Sequence, residues 1–519
     1  MNVWSGSLAM SATPSTQCAV EPDSPSDAGS QRGRAKRTSL RSDSLTNIAV
    51  VLALAASVSG WFSAIRSALW LDETVSYWQI SGGFSQIWHR QGLSFPAYSY
   101  ILWLTDSLFG SNGIVLRMPS VLAMLGAVYV LYLIAREFFE FDVAVIVTAV
   151  FAFSPIVAFA AIDARPYAFA VLAVNWATLM LLRWMRANSI RHAALFGVAA
   201  AGIFYFHYLF GVILVAYALI FLLMKWREYR AFAPKLVIAA IPFFLMMLPV
   251  FSRLVYLFQT SQSHVFEGVP STVELSRTLM PGNIALLFAE VAFLAAVARK
   301  VAVPSNEPAG AGITSLLLAM VPLGVLYGVS VWTPIHVFVE RYRLVGLPGV
   351  ALCWGLLVSC LNWKFARALF AVALIVSFSN GIHFTLWESH GYTWKYALEA
   401  ADARALPDHA PLLICSDFPE SNFVPMPADP KTSFLFAQLS YYKVKSPVMP
   451  LPRALNATAE SQVKRFLATA IPAHQKFFVV AFGASTKTIN WITTTTESSY
   501  RMVRVGEYDQ VSVVEYVPR

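Results

Sequence analysis

The chain has 519 residues, of which 57% are hydrophobic and only 13% are charged, and its mean hydropathy is +0.58. Soluble domains need a polar outer face, so this composition excludes a soluble protein and makes the bilayer the solvent for most of the chain. The formal net charge of +9 does not indicate nucleic-acid binding, because much of the lysine and arginine lies in short segments between apolar runs, where it orients membrane helices.

The first 44 residues are rich in Ser, Pro, Asp and Arg and contain almost no aromatic residues. Such a composition cannot bury a hydrophobic core, so we predict that residues 1–44 form a disordered cytosolic tail. The apolar run that follows begins too late for a cleavable signal peptide. It spans about 25 residues, which is enough to cross a bilayer.

Apolar runs then recur through residues 45–387 and predict a membrane domain of about eleven transmembrane helices, at ~20 residues for each span. Basic residues cluster in alternate loops, such as the segments 183–191 and 225–235, which places these loops on the cytosolic side with the tail. An odd number of spans then places the C-terminus outside. The runs lie near 46–70, 115–138, 143–161, 166–185, 192–208, 209–226, 235–257, 282–298, 313–332, 344–361 and 366–387.

The first loop on the outer side, residues 71–114, is long and aromatic, with Trp78, Trp88 and Tyr98 among its residues. Aromatic side chains favour the membrane–water interface, so we expect helices that lie along this interface. They would cover a site at the outer surface of the membrane.

From residue 388 onward the composition becomes ordinary, and the patterns predict a small extracytoplasmic α/β domain over residues 388–519. A helix is predicted from Tyr392 to Leu406, ending at a proline, and a second from a cap at Thr458 to Ile471. The predicted strands are Leu412–Cys415, Phe477–Phe482 and a hairpin that pairs Tyr500–Glu507 with Val511–Val517.

Two outer turns carry acids. Asp72 and Glu73 follow the first span directly, and Asp163 precedes Arg165 and Pro166 in the next outer turn. Carboxylates next to low-dielectric surroundings are costly and often belong to functional sites. The alternative is structural, because each acid could cap the helix that follows it.

Basic residues of the outer side form the other part of the candidate site. Arg341 and Arg343 run against the positive-inside bias, and paired guanidinium groups fit a phosphate. Their alternative role is a salt bridge to Glu340 or to lipid headgroups. His207 lies where one span ends and the next returns, so it too could face outward, although such a histidine is often an ordinary hydrogen-bonded residue.

Several short motifs resemble, in their order, those of the GT-C type glycosyltransferases that use sugars linked to polyprenyl phosphate, a family that includes protein O-mannosyltransferases and the lipid A aminoarabinose transferase. Each motif is short, so the specificity of the resemblance comes from their order, the number of spans and the outer domain. The motifs are Asp72–Glu73, Phe109–Gly110–Ser111, Arg117–Met118–Pro119–Ser120, Ala164–Arg165–Pro166–Tyr167 and Glu340–Arg341–Tyr342 with Pro348.

The resemblance implies that a sugar moves from a polyprenyl-phosphate donor to a lipid, glycan or protein acceptor at the outer face of the membrane. It implies that Asp72, Glu73 and Asp163 are the catalytic acids, with Asp72 as the general base. An acceptor hydroxyl loses a proton while charge builds on the departing phosphate, so a base and a cation are expected on opposite sides of the sugar.

The same resemblance implies that Arg341, Arg343, Arg165 and His207 hold the donor phosphate. The chain departs from many relatives at Leu93–Ser94–Phe95–Pro96, where they carry a basic residue or histidine before the proline. A metal or phosphate contact is therefore not carried over to this point, and whether a divalent ion binds between the acids stays open. The expected location is a bacterial inner membrane, with the active site and the C-terminal domain on the periplasmic side.

Two other function classes compete with the transferase. Many spans also suit a transporter or lipid flippase, but such proteins carry ionisable residues near the midplane and internal repeats, and the charged residues here gather at the ends of spans. The third class is a non-catalytic membrane scaffold that carries the outer domain.

Overall fold

A computed structural model describes residues 28–90, 96–259, 268–279, 284–301, 309–379 and 393–519. Residues 1–27 of the predicted tail and the segment 91–95, which holds most of the departure from the family motif, lie outside the described residues. The helices are α1 Ala28–Gly60, α2 Leu71–Ile80, α3 Phe84–Ile87, α4 Pro96–Phe109, α5 Gly113–Arg136, α6 Phe141–Phe153, α7 Pro155–Ala161, α8 Tyr167–Ala187, α9 Ile190–Phe206, α10 Ile213–Lys225, α11 Tyr229–Gln259, α12 Thr272–Leu279, α13 Ile284–Val297, α14 Ala309–Trp332, α15 Leu347–Ser359, α16 Lys364–Ser379, α17 Lys395–Ala405, α18 Gln438–Tyr441, α19 Ala457–Ala470 and α20 Thr486–Thr496.

Residues 28–44 of the predicted tail are the first turns of α1, and the disorder of the tail stays a prediction. Within the described ranges, five helical stretches are long and apolar enough to cross a membrane, or six when one bent pair is included. The predicted count of about eleven spans is therefore not confirmed. One reason is that Tyr208–Val255 counts as one apolar helical stretch of 48 residues, although it contains two helices, α10 and α11, where the apolar pattern placed two runs. Other runs correspond to helices of 10–17 residues.

The bent pair is α6 and α7, which meet at an angle of 74°. Pro155 is the first residue of α7, and Ser154 before it has a ψ of 127°, outside the helical range. The break follows from proline chemistry, since the ring disfavours a helical residue before it but suits the first turn of a new helix. As a result, α7 turns away from the axis of α6 and forms a wall of the candidate site.

The membrane domain has one large core of buried aliphatic and aromatic side chains, drawn from α1, α5 to α11, and α13 to α16. Small residues allow the helices of this domain to approach each other closely. A Cβ atom at Gly197 of α9 would lie 2.0 Å from the carbonyl oxygen of Ala239 in α11, so only glycine fits at this crossing. Packing of this kind replaces the hydrophobic driving force that helices lack inside lipid.

The C-terminal part is built on a five-stranded sheet with the order β2-β1-β3-β5-β4. Strands β1, β2 and β3 are parallel, whereas β5 runs antiparallel to both β3 and β4. The predicted strands and hairpin are thus present, and the α/β character is confirmed. The strands are β1 Leu412–Cys415, β2 Val448–Leu451, β3 Phe477–Phe482, β4 Tyr500–Tyr508 and β5 Val511–Pro518.

One detail of the predicted domain is wrong. Helix α19 is capped by Asn456, whose side chain accepts a hydrogen bond from Ala459 N at 2.9 Å, and not by Thr458. Asparagine is among the best capping residues, and its position starts the helix two residues earlier than predicted.

The C-terminal sheet domain packs directly on α2. Leu71, the first residue of α2, belongs to the buried core of this domain together with Trp394 and Phe436. Trp78 Nε1 donates to Thr432 O at 2.9 Å, and Tyr442 Oη donates to Leu69 O at 2.9 Å. The helix that carries Asp72 and Glu73 is therefore fixed from the C-terminal side as well as from the membrane side.

Candidate functional site

Glu73 lies in the core of the protein. It is 1% exposed, and both of its carboxylate oxygens bond to Arg117 of α5, Oε1 to Nε at 2.7 Å and Oε2 to Nη2 at 2.6 Å. Oε1 also accepts from Ala164 N at 2.9 Å and Oε2 from Trp70 N at 3.1 Å. Glu73 thus caps α2, as the structural alternative predicted, and joins α2, α5 and the turn before α8.

Arg117, the partner of Glu73, also bonds the backbone that precedes α2. Its guanidinium donates to the carbonyl oxygens of Ile65 and Ser67 at 2.9 Å and of Ala68 at 3.1 Å. A charge without exposure is tolerated only when it is paired and fully hydrogen-bonded, and Arg117 meets both conditions. The side chain of Arg117 therefore fixes the backbone of residues 65–68, which leads into α2.

Asp72 faces the other way. Its side chain is 19% exposed, and Oδ2 lies 3.4 Å from Arg341 Nη1 and 3.9 Å from Arg165 Nη2. Arg165 also donates to the backbone carbonyl of Asp72 at 3.2 Å. The three residues come from α2, the turn before α8 and the 3-10 turn Glu340–Val345. The structure thus brings together three of the predicted site residues, one acid and two arginines.

Asp163 lies behind this cluster, fully buried, and its Oδ1 accepts from Trp70 Nε1 at 3.0 Å. It does not cap α8, because Pro166 occupies the N-cap position and no side chain there accepts a capping hydrogen bond. Burial and the neighbouring Glu73 carboxylate raise the pKa of Asp163 well above its usual range, although Arg165 and the bond from Trp70 oppose this shift. A neutral carboxyl in a dry site suits a structural hydrogen bond better than proton transfer to substrate.

His207 follows the last residue of α9 and packs in an aromatic cluster. Its ring lies 5.0 Å from the ring of Tyr342, 5.3 Å from that of Tyr167 and 4.9 Å from that of Phe210. Burial, aided by Arg165 and Arg341, lowers the pKa of His207 to about 3. His207 is therefore a neutral imidazole beside the arginines and offers a phosphate one N–H donor, not a positive charge.

Arg343 points away from Asp72. Its Nη1 donates to Thr278 Oγ1 of α12 at 2.9 Å, and its guanidinium lies 5.2 Å from the ring of Phe338. The two arginines of this 3-10 turn thus have different partners, although both border the same cavity.

The front cavity has a volume of about 520 Å³ and is lined by Arg341, which contacts Asp72, although Asp72 itself is not one of its lining residues. Its apolar wall comes from α7 and from Trp70, whose ring meets Phe159 edge-on at 5.7 Å. Its polar side carries Arg341, Arg343 and Tyr167, together with two acids, Glu274 and Glu340. An apolar hollow with a few convergent polar groups has the form of a small-molecule site, and its volume suits a sugar phosphate.

The predicted geometry needs one correction. Base and cation were expected on opposite sides of the sugar, yet 3.4 Å between Arg341 and Asp72 leaves no space for a sugar ring between them. The physical reason is that opposite charges in a half-buried hollow attract each other strongly. The sequence also gave no role to Arg117, Trp70 or the α7 wall. Arg117 could have been found, because an arginine in an apolar span needs a buried acid.

Asp72 and Glu73 are paired with guanidinium groups, and Asp163 accepts a hydrogen bond from Trp70. Within the ranges that the structure describes, no group of three or more His, Cys, Asp and Glu residues is placed to hold a metal ion. A divalent cation would have to displace guanidinium groups to reach Asp72 or Glu73.

Comparison with known proteins gives two kinds of match. Residues 94–252 match the family described as dolichyl-phosphate-mannose-protein mannosyltransferase. Among solved structures, ArnT from Cupriavidus metallidurans bound to undecaprenyl phosphate matches with 15% identity and a TM-score of 0.53, over 90% of this chain and 97% of ArnT. The apo form of ArnT matches over the same shares of both chains, with 15% identity and a TM-score of 0.50.

The arabinofuranosyltransferase AftD from Mycobacteria matches with 14% identity and a TM-score of 0.46, over 91% of this chain and 40% of AftD. A search of curated protein sequences finds no match. At these identities ArnT shows a shared fold, which extends over nearly the whole chain. The matched segment and this fold favour the transferase prediction over the transporter and scaffold alternatives.

Proposed function

We propose that this chain, a membrane glycosyltransferase of the GT-C type by its matched segment and its fold, transfers a sugar from a polyprenyl-phosphate donor to an acceptor hydroxyl. The observation that carries the proposal is the cluster in which Arg341 and Arg165 lie within 3.4 and 3.9 Å of Asp72 Oδ2 beside the front cavity. The undecaprenyl phosphate bound to ArnT supports a donor of this class.

In the proposed reaction, Asp72 accepts the proton of the acceptor hydroxyl as the oxygen attacks the anomeric carbon of the sugar. The bond between that carbon and the phosphate oxygen breaks, and its electron pair leaves with the polyprenyl phosphate. Arg341 and Arg165 stabilise the negative charge that develops on the phosphate. Atoms and charge balance, because the proton goes to Asp72 and the phosphate keeps the electron pair.

Arg341 needs to change partners in this scheme. Its guanidinium lies 3.4 Å from Asp72 Oδ2, so the cation that is to bind the phosphate is paired with the carboxylate that is to accept the proton. A donor phosphate with its two acceptor oxygens competes for the guanidinium and frees the carboxylate. Donor binding would thus activate the base.

The remaining predicted site residues are proposed to position this centre. Glu73 fixes α2 through Arg117 and does not touch substrate. Asp163 orients Trp70, which lines the front cavity. His207 supports Tyr167 and Tyr342 beside the arginines, and Arg343 anchors the 3-10 turn to α12.

The location of the site is also a proposal. The basic loops on the opposite side support an extracytoplasmic active site and C-terminal domain, in the inner membrane of a bacterium. The acceptor would be a lipid, glycan or protein that presents its hydroxyl at the membrane surface.

The test is transfer of radiolabelled sugar from a polyprenyl-phosphate sugar in membranes that contain the protein. We expect Asp72→Asn to lower transfer by about 10²- to 10⁴-fold while the protein stays folded, because the variant removes a general base. Asp106→Asn is the matched control, since Asp106 of α4 bonds Ser111 outside the front cavity. Wild-type transfer in Asp72→Asn would refute the proposal.

A further inference from the structure

A second and larger space lies behind the catalytic segment. It has a volume of about 840 Å³ and is bounded by residues 66–69 and 112–114 of the membrane domain and by residues of the C-terminal domain. We call it the junction cleft. It shares no lining residue with the front cavity, because Leu69 borders the cleft and Trp70 borders the cavity. The segment held by Arg117 separates the two spaces.

The walls of the junction cleft are tied together. Tyr442 Oη donates to Leu69 O at 2.9 Å, and Tyr441 Oη donates to Ser111 O at 2.9 Å. The rings of Tyr441 and Tyr442 meet edge-on at 5.0 Å. A space whose walls are joined by hydrogen bonds is preformed and loses little conformational entropy when a ligand enters it.

The lining has a distinct chemistry. Four tyrosine side chains border the cleft, at positions 396, 441, 442 and 508, together with two cations, Arg66 and Lys395. Its acid, Asp509, already accepts from Thr393 N at 3.2 Å. Ser67 Oγ is buried and has no hydrogen-bond partner among the residues that the structure describes.

This set of groups matches a sugar that carries an anion. Tyrosine faces pack against the apolar faces of sugar rings, and tyrosine and serine hydroxyls exchange hydrogen bonds with sugar hydroxyls. Two cations against one engaged acid favour a phosphate over a neutral group. The apolar lining residues Leu69 and Ile114 are few beside the tyrosines and charged side chains, which favours a saccharide over an acyl chain.

We propose that the junction cleft binds a phosphorylated saccharide, the part of the acceptor that lies away from the reacting hydroxyl. The identification of this ligand as part of the acceptor rests on the proposed function, whereas the binding of a phosphorylated saccharide does not. A ligand in the cleft contacts the segment 66–69 directly, three residues before Asp72, so occupancy also steadies the start of α2.

The test is saturation-transfer NMR with the full-length protein in phosphatidylcholine nanodiscs, using mannose 6-phosphate and mannose as probes. Mannose 6-phosphate should bind at least about tenfold more tightly than mannose, since a charged hydrogen bond contributes about 1.5–3 kcal/mol and 1.4 kcal/mol is tenfold. Lys395→Gln and Arg66→Gln should each weaken its binding about tenfold. Lys443→Gln, an exposed residue outside the cleft, is the matched control.

Asp72→Asn separates this inference from the proposed function. It should leave mannose 6-phosphate binding unchanged even though transfer is lost. Equal binding by Lys395→Gln and Lys443→Gln, or no binding by wild type, would overturn the inference. A further arm uses nanodiscs with phosphatidylglycerol: complete displacement of the probe there would show that the cleft takes a lipid headgroup and would also overturn it. Tyr396→Ala, a half-exposed side chain, provides a second variant that should weaken binding without unfolding the protein.

Discussion

Both faces of α2 carry a carboxylate that is paired with arginine, but the two pairs differ in burial and in distance. On one face, Glu73 and Arg117 form an ion pair with no exposed side-chain surface, and every polar atom of the pair is bonded to protein. On the other face, Asp72 is 19% exposed and its arginine partners are 3.4 and 3.9 Å away. A tight, dry pair fixes architecture, whereas a looser pair beside a cavity can exchange partners.

The largest expected effect is on the buried face. Glu73→Gln leaves the Arg117 charge buried without a counter-charge, which should destabilise the protein by about 3–5 kcal/mol. Thermal unfolding in detergent, followed by tryptophan fluorescence, measures this change. Glu228→Gln is the control, because its pair with Lys225 is exposed and contributes about 0.2–0.5 kcal/mol. Similar losses in both variants would mean that the buried pair has no special role.

The next effect concerns the open face. Arg341→Gln should weaken undecaprenyl phosphate binding about 10- to 100-fold, because the variant removes charged hydrogen bonds to the phosphate. Arg343→Gln should weaken it less, since Arg343 is held by Thr278. Quenching of tryptophan fluorescence in a titration with undecaprenyl phosphate, the carrier that leaves in the proposed reaction, measures both affinities. If Arg343→Gln had the larger effect, the phosphate would lie on the α12 side of the cavity.

A smaller effect depends on pH. The raised pKa of Asp163 means that the folded protein holds this proton more tightly than the unfolded chain does. This contribution to stability is complete below the ordinary pKa of 3.8 and is lost as pH rises through the folded-state pKa. Asn mimics the protonated acid and does not titrate. The unfolding temperature of Asp163→Asn, measured relative to that of wild type, should therefore increase as pH rises from 4 to 8.

Asp106→Asn serves as the control for that measurement and should follow wild type across the same range. A difference between Asp163→Asn and wild type that does not change with pH would show that the carboxyl of Asp163 is not protonated preferentially in the folded state.

The smallest effect is expected at the contact between the two domains. Tyr442→Phe removes the hydrogen bond to Leu69 O and should cost about 0.5–1.5 kcal/mol. Thermal unfolding measures the loss, and Tyr396→Phe is the control because Tyr396 is half-exposed. A loss in Tyr442→Phe no greater than in the control would mean that the C-terminal domain is held to α2 by apolar packing alone.

The sequence predicted those parts that depend on local pattern. Alternating residues gave the hairpin of β4 and β5, and a short apolar run gave β3. Strand β2 was missed because it has four residues and contains Pro450, which is tolerated only because β2 lies at the sheet edge. Helix α20 was missed because its threonines have low helix propensity.

The sequence predicted which residues belong to the candidate site better than it predicted the role of each residue. Asp72, Arg165 and Arg341 follow outer ends of apolar runs, so their convergence could be expected from the positions of those runs. Adjacent residues on a helix point about 100° apart, however, and the pattern could not tell which of Asp72 and Glu73 faces the core. That choice depends on Arg117, 44 residues away from Glu73 in the chain.

The most direct test of the account is the affinity of Asp72→Asn for undecaprenyl phosphate, measured in the sample whose transfer rate is determined. If Asp72 competes with the phosphate for Arg341, its neutralisation should leave the affinity for undecaprenyl phosphate equal or higher while transfer falls at least about 100-fold. Weaker binding of undecaprenyl phosphate by Asp72→Asn, with transfer that recovers at saturating sugar donor, would contradict the assignment of Asp72 as the base.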